Sequence, residues 1–138
     1  MQVLPYNEIH MAGVKEIFTS IFDDSETQYV DFQPTPFSQV LVDSGIVKGF
    51  ILIRNSTYVN FLHEIAYLGV SEECRNQGYG TKLMNTVKEL IPRYDSLWLR
   101  CCGDSLAIPL YEKNGFRNIK FVSYGNDSAG ALTFFWSS

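Results

Sequence analysis

Hydrophobic residues recur along the chain at two spacings, and the spacing predicts which segments are strands and which are helices. Short apolar runs bounded by glycine, proline, asparagine or serine predict strands. Apolar residues three or four positions apart predict helices, and Asn7 suits the N-cap of the first one. The predicted strands lie within residues 2–6, 38–42, 46–54, 58–70, 96–102, 116–123 and 131–136, and the predicted helices follow Asn7 as far as about residue 22, then cover 78–91 and 106–114.

The order of these elements, β-α-β-β-β-α-β-α-β-β, predicts a mixed α/β (α+β) fold in a single domain over residues 1–138. Hairpins flank the helices that cross between strands, so the central sheet must be partly antiparallel. No repeat or linker divides the chain. The C-terminal aromatic residues Phe134, Phe135 and Trp136 look exposed, and this last strand could close a homodimer by pairing with a second copy.

Charge and composition limit the kinds of binding partner and the cellular setting that this chain is expected to have. The net charge of −4 argues against nucleic acid as the main partner and mildly favours a cationic one. No lysine or arginine occurs from Glu16 to Val47, and the acids in that span form either a solvated surface or a wall that attracts a positive acceptor. The three cysteines have neither disulfide nor zinc spacing. No apolar run approaches the roughly 20 residues that cross a bilayer, and no signal peptide is evident. These features predict a reducing, cytoplasmic setting without metal or membrane.

The segment from Arg75 to Gly80 places two glycines at the start of the helix 78–91. A helix N-terminus carries unpaired N–H groups and a partial positive charge. Glycines there let a phosphate approach the backbone, and Arg75 adds a full charge. A P-loop needs lysine directly after the last glycine, and a dinucleotide fingerprint needs a third glycine at position 83, so both motifs are excluded. The alternative is that Gly78 and Gly80 only form a strand-to-helix turn.

Two segments together resemble the GNAT superfamily of N-acetyltransferases. Arg75-Asn76-Gln77-Gly78-Tyr79-Gly80 resembles the acetyl-CoA motif Arg-x-x-Gly-x-Gly of that superfamily. Residues 107–116 read Ala-Ile-Pro-Leu-Tyr-Glu-Lys-Asn-Gly-Phe and resemble its second signature, at the expected distance. The chain is also similar to Gcn-type histone acetyltransferases at residues 78–80, at 83–85 and at Glu64. The resemblance implies a mostly antiparallel sheet with helices on both faces, splayed between the strand ending at Val70 and the strand starting near Ser96.

The resemblance further implies which residues hold acetyl-CoA. The pantetheine arm would lie in the splay like an extra strand and pair with main-chain groups of residues 68–70, while residues 75–81 would hold the pyrophosphate. Position 104 is commonly asparagine in the superfamily and touches the pantetheine arm, whereas this chain has Asp104. The implied contacts are Leu68, Gly69, Val70, Arg75, Asn76, Gln77, Gly78, Tyr79, Gly80, Thr81 and Asp104.

Glu64 and Tyr111 are the candidate catalytic residues. Glu64 is a lone carboxylate in an apolar strand, where burial costs free energy unless it reaches water at a bulge or has a partner. An amine is protonated at neutral pH, so a base must take its proton before it attacks the thioester. In Gcn-type enzymes the glutamate that matches Glu64 is this base, and Tyr111 matches the tyrosine that many GNAT enzymes use as the acid on the leaving thiolate. A backbone N–H near Val70 would stabilise the oxyanion.

Two functions stay open. The first is an acetyl-CoA-dependent N-acetyltransferase that acts on a protein lysine, an N-terminal α-amine or a small amine such as a polyamine. The second is a catalytically silent acyl-CoA-binding domain that serves as a sensor or interaction module. The presence of both Glu64 and Tyr111 favours the enzyme.

Overall fold

A computed structural model describes residues 1–21, 35–55, 62–102, 107–118 and 131–137, with the side chains of 100–102, 131 and 132 excepted. Over these ranges the chain forms one seven-stranded sheet with helices on both faces. The strands are β1 (Gln2–Pro5), β2 (Gln39–Asp43), β3 (Ile46–Asn55), β4 (Leu62–Val70), β5 (Ser96–Cys102), β6 (Arg117–Asn118) and β7 (Ala131–Ser137), and the helices are α1 (Met11–Ile21), α2 (Tyr79–Leu90) and α3 (Ile108–Lys113). Short 3-10 turns, Glu8–His10 and Glu72–Cys74, precede α1 and α2.

The strand order is β1-β2-β3-β4-β5-β7-β6, and among these pairs only β4 and β5 run parallel. The mixed, mostly antiparallel sheet that the sequence predicts is therefore confirmed. Successive side chains of a strand point to opposite faces, and β3 accordingly divides the core in two. Phe50 and Leu52 pack with α1 on one face, while Ile51 and Ile53 pack with α2 on the other.

Local sequence explains how the first elements begin and turn. Asn7 accepts a hydrogen bond from the Ile9 N–H and donates its own N–H to His10 Nδ1, a capping box that starts the 3-10 turn leading into α1. Ser44 and Gly45 both have positive φ, at 52° and 81°. Such a pair forms the type I′ turn that joins β2 to β3 as a hairpin.

Three details of the sequence prediction were wrong. The third helix begins at Ile108, with no cap from any described side chain at Ala107, rather than at residue 106. The helical spacing groups Leu90 with the apolar stripe of Leu83, Met84, Val87 and Ile91, but Leu90 is 46% exposed while the other four are buried. Phe134 was expected at the surface but is 1% exposed. It is paired with β5 on one side and β6 on the other, so its part of β7 has no open edge for a second copy.

Several predictions fall outside the described residues: the loop after α1, the turn at 55–57 beyond its first residue, the capping role of position 104 or 105, and the loop before β7. Among the helices that the structure describes, none is long and apolar enough to span a membrane.

Candidate active site

The site is organised around the place where two parallel strands part. Over their described lengths, β4 and β5 pair at Leu62 with Ser96, His63 with Leu97 and Glu64 with Trp98, and no further. Beyond this point β4 stays with β3 and β5 stays with β7. A register shift accompanies the parting, because Leu52 pairs with Tyr67 while Ile53 pairs with Ile65, which leaves Ala66 as an extra residue. Such a bulge bends its strand, and the splay implied by the resemblance is present.

The edge of β4 that faces the splay carries main-chain hydrogen-bonding groups. The Ser71 N–H donates to the Lys48 carbonyl at 2.8 Å. Because main-chain groups alternate along a strand, those of Ser71, Gly69 and Tyr67 face β3. Leu68 and Val70 lie between them and direct their N–H and C=O groups to the other side. The Val70 carbonyl there accepts a hydrogen bond from Arg75 Nε at 3.1 Å. An extended chain could add to this edge as a further strand.

At the end of the splay, the loop from Ser71 to Gly78 leads into α2. Asn76 and Gly78 have positive φ, at 62° and 85°, and turn the chain sharply into the helix. Gly78 is the N-cap and provides no side-chain cap, so the first N–H groups of α2 point out of the helix end. A Cβ at Gly78 would meet no described atom within 4 Å. Open space beside unsatisfied N–H groups is the geometry that a phosphate group requires.

An exposed ion pair ties this loop to β3. Lys48 Nζ lies 2.8 Å from Glu73 Oε1. The hydrogen bond from Lys48 lowers the pKa of the Glu73 carboxyl below its usual range, and the same bond raises the pKa of the Lys48 ammonium. Gln77 Nε2 also donates to the Glu73 carbonyl at 3.0 Å. The loop is therefore held in shape at Glu73, although salt screens an exposed pair of this kind.

Gly80 serves the packing of two helices. A Cβ at Gly80 would lie 3.0 Å from Leu110 Cδ2, a contact so close that the leucine would have to move. The missing side chain thus lets the first turn of α2 lie directly against α3. The sequence suggests phosphate approach or a strand-to-helix turn as the reason for this glycine, and the structure adds the packing of α2 against α3.

Glu64 occupies the last paired position before the splay. Its side chain is 11% exposed, and its Oε1 accepts a short hydrogen bond from Arg54 Nη2. Arg54 is the register partner of Glu64 on β3, and its side chain is 48% exposed. The sequence suggests a bulge open to water or a partner for this carboxylate. The structure supplies the partner, while the extra residue of the bulge is Ala66, two positions further along β4. No feature of the sequence identifies Arg54, because register across the β3–β4 pair is a tertiary property.

Tyr111 lies in the core on the other face of the sheet. It is 9% exposed on α3, and its ring centroid lies 6.2 Å from Phe116 and 6.0 Å from Phe134, so the ring is held within the core. This core also contains Ile53 and Ile65, which lie on the α2 face. Arg54 and Glu64 are each one position from Ile53 and Ile65 along their strands, so their side chains lie on the opposite, α1 face. The structure therefore places the two candidate catalytic side chains on opposite sides of β4.

Two parts of the predicted site are not described. Asp104 and most of the acidic stretch, residues 22–34, lie outside the described residues. Asp43 is the exposed end of β2.

Comparison with known proteins gives the family. A model of the acetyltransferase (GNAT) domain matches residues 36–118. The chain is 30% identical over 112 residues to histone acetyltransferase GCN5 from Oryza sativa subsp. japonica, a match that covers 78% of this chain and 22% of the relative. It thus spans about a fifth of the length of that relative. The chain belongs to the GNAT acetyltransferase family.

Solved structures agree with this fold. Naa50 from Arabidopsis thaliana, in complex with the bisubstrate analogue CoA-Ac-MVNAL, has a TM-score of 0.76 at 19% identity, over 99% of this chain and 98% of that one. Ard1 from Thermoplasma volcanium has a TM-score of 0.72 at 23% identity, over 98% and 95%. The aminoglycoside 6'-N-acetyltransferase from Enterococcus faecium has a TM-score of 0.78 at 14% identity, over 99% and 96%. At these identities the likeness shows the fold alone.

Proposed function

We propose that the chain transfers an acetyl group from acetyl-CoA to a primary amine by direct attack, with Glu64 as general base and Tyr111 as general acid. One observation carries the proposal: β4 and β5 part directly beyond Glu64, and the main-chain edge of β4 runs from there to the N-terminus of α2. A thioester at one end of a long arm, with a pyrophosphate at the other, matches this layout.

Acetyl-CoA would bind along this path without metal. Its pyrophosphate would accept hydrogen bonds from the first N–H groups of α2, beside the open space at Gly78. The two pantetheine amides would pair with the main chain of Leu68 and Val70. The structure with CoA-Ac-MVNAL supports this proposal, since its fold is shared over 99% of the chain.

The two catalytic side chains then divide the proton transfers. The acceptor amine gives a proton to Glu64, directly or through water, and its nitrogen attacks the thioester carbonyl carbon. The tetrahedral oxyanion collapses, the carbon–sulfur bond breaks, and the thiolate takes a proton from Tyr111. The nitrogen loses its second proton to solvent as the adduct collapses, so the products are the N-acetylated amine, coenzyme A and one released proton. The proton on Glu64 replaces the one that Tyr111 donated, through solvent. Placement on opposite faces of β4 suits these roles, because the amine nitrogen and the leaving sulfur are separate substituents of the tetrahedral carbon and each needs its own proton-transfer group.

The acceptor is a primary amine that is cationic when free: a peptide α-amine, a lysine or a small polyamine. The Glu64 carboxylate lies at the mouth of the splay, where a cationic amine can compete with Arg54 for it. The acidic composition of residues 16–47 supports the same choice. Relatives with this fold include one complexed with a peptide-like analogue and one named for aminoglycosides, so peptide and small-amine acceptors should both be assayed.

The test compares single variants over a panel of amines and over pH. Glu64→Gln should lower kcat by roughly 10²–10⁴, the usual worth of a general base, and high pH should partly restore it because more amine is already neutral. Tyr111→Phe should also slow turnover, but high pH should not restore it, since the leaving group still lacks an acid. Arg54→Gln is the matched control for Glu64→Gln, because it breaks the same ion pair and keeps the carboxylate.

Full activity of Glu64→Gln at neutral pH would remove Glu64 from the base role. Tight acetyl-CoA binding by the wild type with no turnover of any amine would instead leave an acyl-CoA-binding module.

A further inference from the structure

We propose that Asn114 is a positioning residue that fixes α3, and with it Tyr111, against the phosphate-binding end of α2. The inference rests on the proposed function, because it concerns the distance between the two ends at which acetyl-CoA would be held. Its basis is a set of contacts between α2 and α3 that the transfer mechanism does not otherwise use.

The Asn114 side chain joins the two helices through one amide group. Asn114 is 8% exposed at the end of α3. Its Nδ2 donates to Thr81 Oγ1 at 3.2 Å and to the Leu110 carbonyl at 2.8 Å. Thr81 lies in the first turn of α2, so the phosphate-binding end of that helix is tied directly to the last turn of α3.

A lysine of α2, Lys88, binds the main chain of Asn114. The carbonyl of Asn114 accepts a hydrogen bond from Lys88 Nζ. That ammonium lies 5.1 Å from the ring centroid of Trp136 and 5.5 Å from that of Phe116. Burial lowers the pKa of Lys88, while the carbonyl and the two rings favour its charged form. Thr81 and Lys88 are two turns apart on one side of α2, so Asn114 is attached to this helix at two levels.

Tyr111 has little freedom once Asn114 is fixed. The N–H of Asn114 lies 3.1 Å from the Tyr111 carbonyl, and the Phe116 N–H donates to the same carbonyl at 3.0 Å. On the opposite side, Leu110 already fills the space above Gly80. These bonds hold the Tyr111 main chain against Asn114, and the Tyr111 ring packs against Phe116 and Phe134. A shift of Asn114 would therefore change the distance between this phenol and the N-terminus of α2. A ligand held by its pyrophosphate at one end presents its sulfur correctly to Tyr111 only if that distance is kept.

The test is a mutant cycle between Asn114 and Tyr111. Asn114→Leu keeps the number of side-chain heavy atoms and removes both side-chain hydrogen bonds. It should lower kcat by roughly 10-fold to 10²-fold, the effect of a misplaced catalytic group, with KM for acetyl-CoA changed by less than about 3-fold. In the Tyr111→Phe background, Asn114→Leu should change kcat by less than about 2-fold, because no phenol remains to be misplaced. Thr81→Val, which removes the hydroxyl partner of Asn114 and keeps the shape, should act in the same direction and serves if Asn114→Leu does not fold.

Val14→Ala is the control for loss of stability alone. Val14 is fully buried on α1, on the opposite face of the sheet. This variant should lower Tm and leave kcat per folded molecule unchanged. Unchanged kcat in Asn114→Leu, or an equal loss of kcat in both Tyr111 backgrounds, would overturn the positioning role alone. Full turnover by Tyr111→Phe would instead overturn the acid role in the proposed function, and with it a role of Asn114 that acts through this phenol.

Discussion

The two purposes of Gly80 can be separated by changing it together with its neighbour on α3. Gly80→Val places a Cβ where Leu110 Cδ2 is only 3.0 Å away and adds two further methyl groups on the first turn of α2. It should therefore push α2 from α3, and it should also fill the approach to the first N–H groups. Leu110→Ala removes the same number of carbon atoms as Gly80→Val adds, so the double variant restores the volume between the helices.

The expected magnitudes follow from packing and from ligand linkage. Overfilling a well-packed contact costs about 1–3 kcal/mol, and in a domain of this size each kcal/mol lowers Tm by about 4 °C. Gly80→Val alone should thus lose roughly 4–12 °C without ligand. Acetyl-CoA at 100 times its Kd adds about 2.7 kcal/mol to the wild type, or about 10 °C by the same conversion. Gly80→Val should lose that gain.

Thermal unfolding with and without acetyl-CoA separates the two roles of Gly80. It is measured on the wild type, Gly80→Val, Leu110→Ala and the double variant. The double variant Gly80→Val with Leu110→Ala should recover most of the Tm without ligand, and acetyl-CoA should still fail to raise it. Leu110→Ala alone should keep the rise. If the double variant regains the full rise with acetyl-CoA, then Gly80 matters for helix packing only, and the phosphate does not approach the backbone at this residue.

Two further predictions concern charged pairs beside the site. Arg54→Gln should lower KM for a cationic amine by up to about 5-fold, the worth of a surface ion pair, because the guanidinium competes with that amine for Glu64. Initial rates measured against acceptor concentration give this KM. A fall in kcat as large as that of Glu64→Gln would mean that Arg54 orients the base instead. The pKa of Glu73 is lowered by Lys48, so the stability from this pair is present above the ordinary carboxyl pKa and is lost as pH falls through the lowered one. The Tm difference between wild type and Glu73→Gln should accordingly shrink from pH 6 to below about pH 4 and in high salt. No Tm difference at any pH would show that Glu73 stabilises the loop by its backbone carbonyl alone.

Many features of the fold could be predicted from the sequence because they depend on interactions between residues that are close together along the chain. The bounds of β1, β5 and α2, the Ser44-Gly45 turn and the Asn7 cap all follow from residues close together in sequence. The glycines before α2 and the second motif around Tyr111 are likewise contiguous patterns. They were sufficient to predict the fold class, the family and the path proposed for acetyl-CoA.

The tertiary structure decided the features that depend on register and on contacts between distant segments. Arg54 meets Glu64 only because β3 and β4 pair in one register, shifted at the bulge. Phe134 is buried because β7 enters the sheet between β5 and β6. Asn114 reaches Thr81, 33 residues earlier, only when α3 lies on the first turn of α2. Burial and pairing of this kind are set by which elements adjoin in three dimensions, and periodicity along one chain carries no information about that.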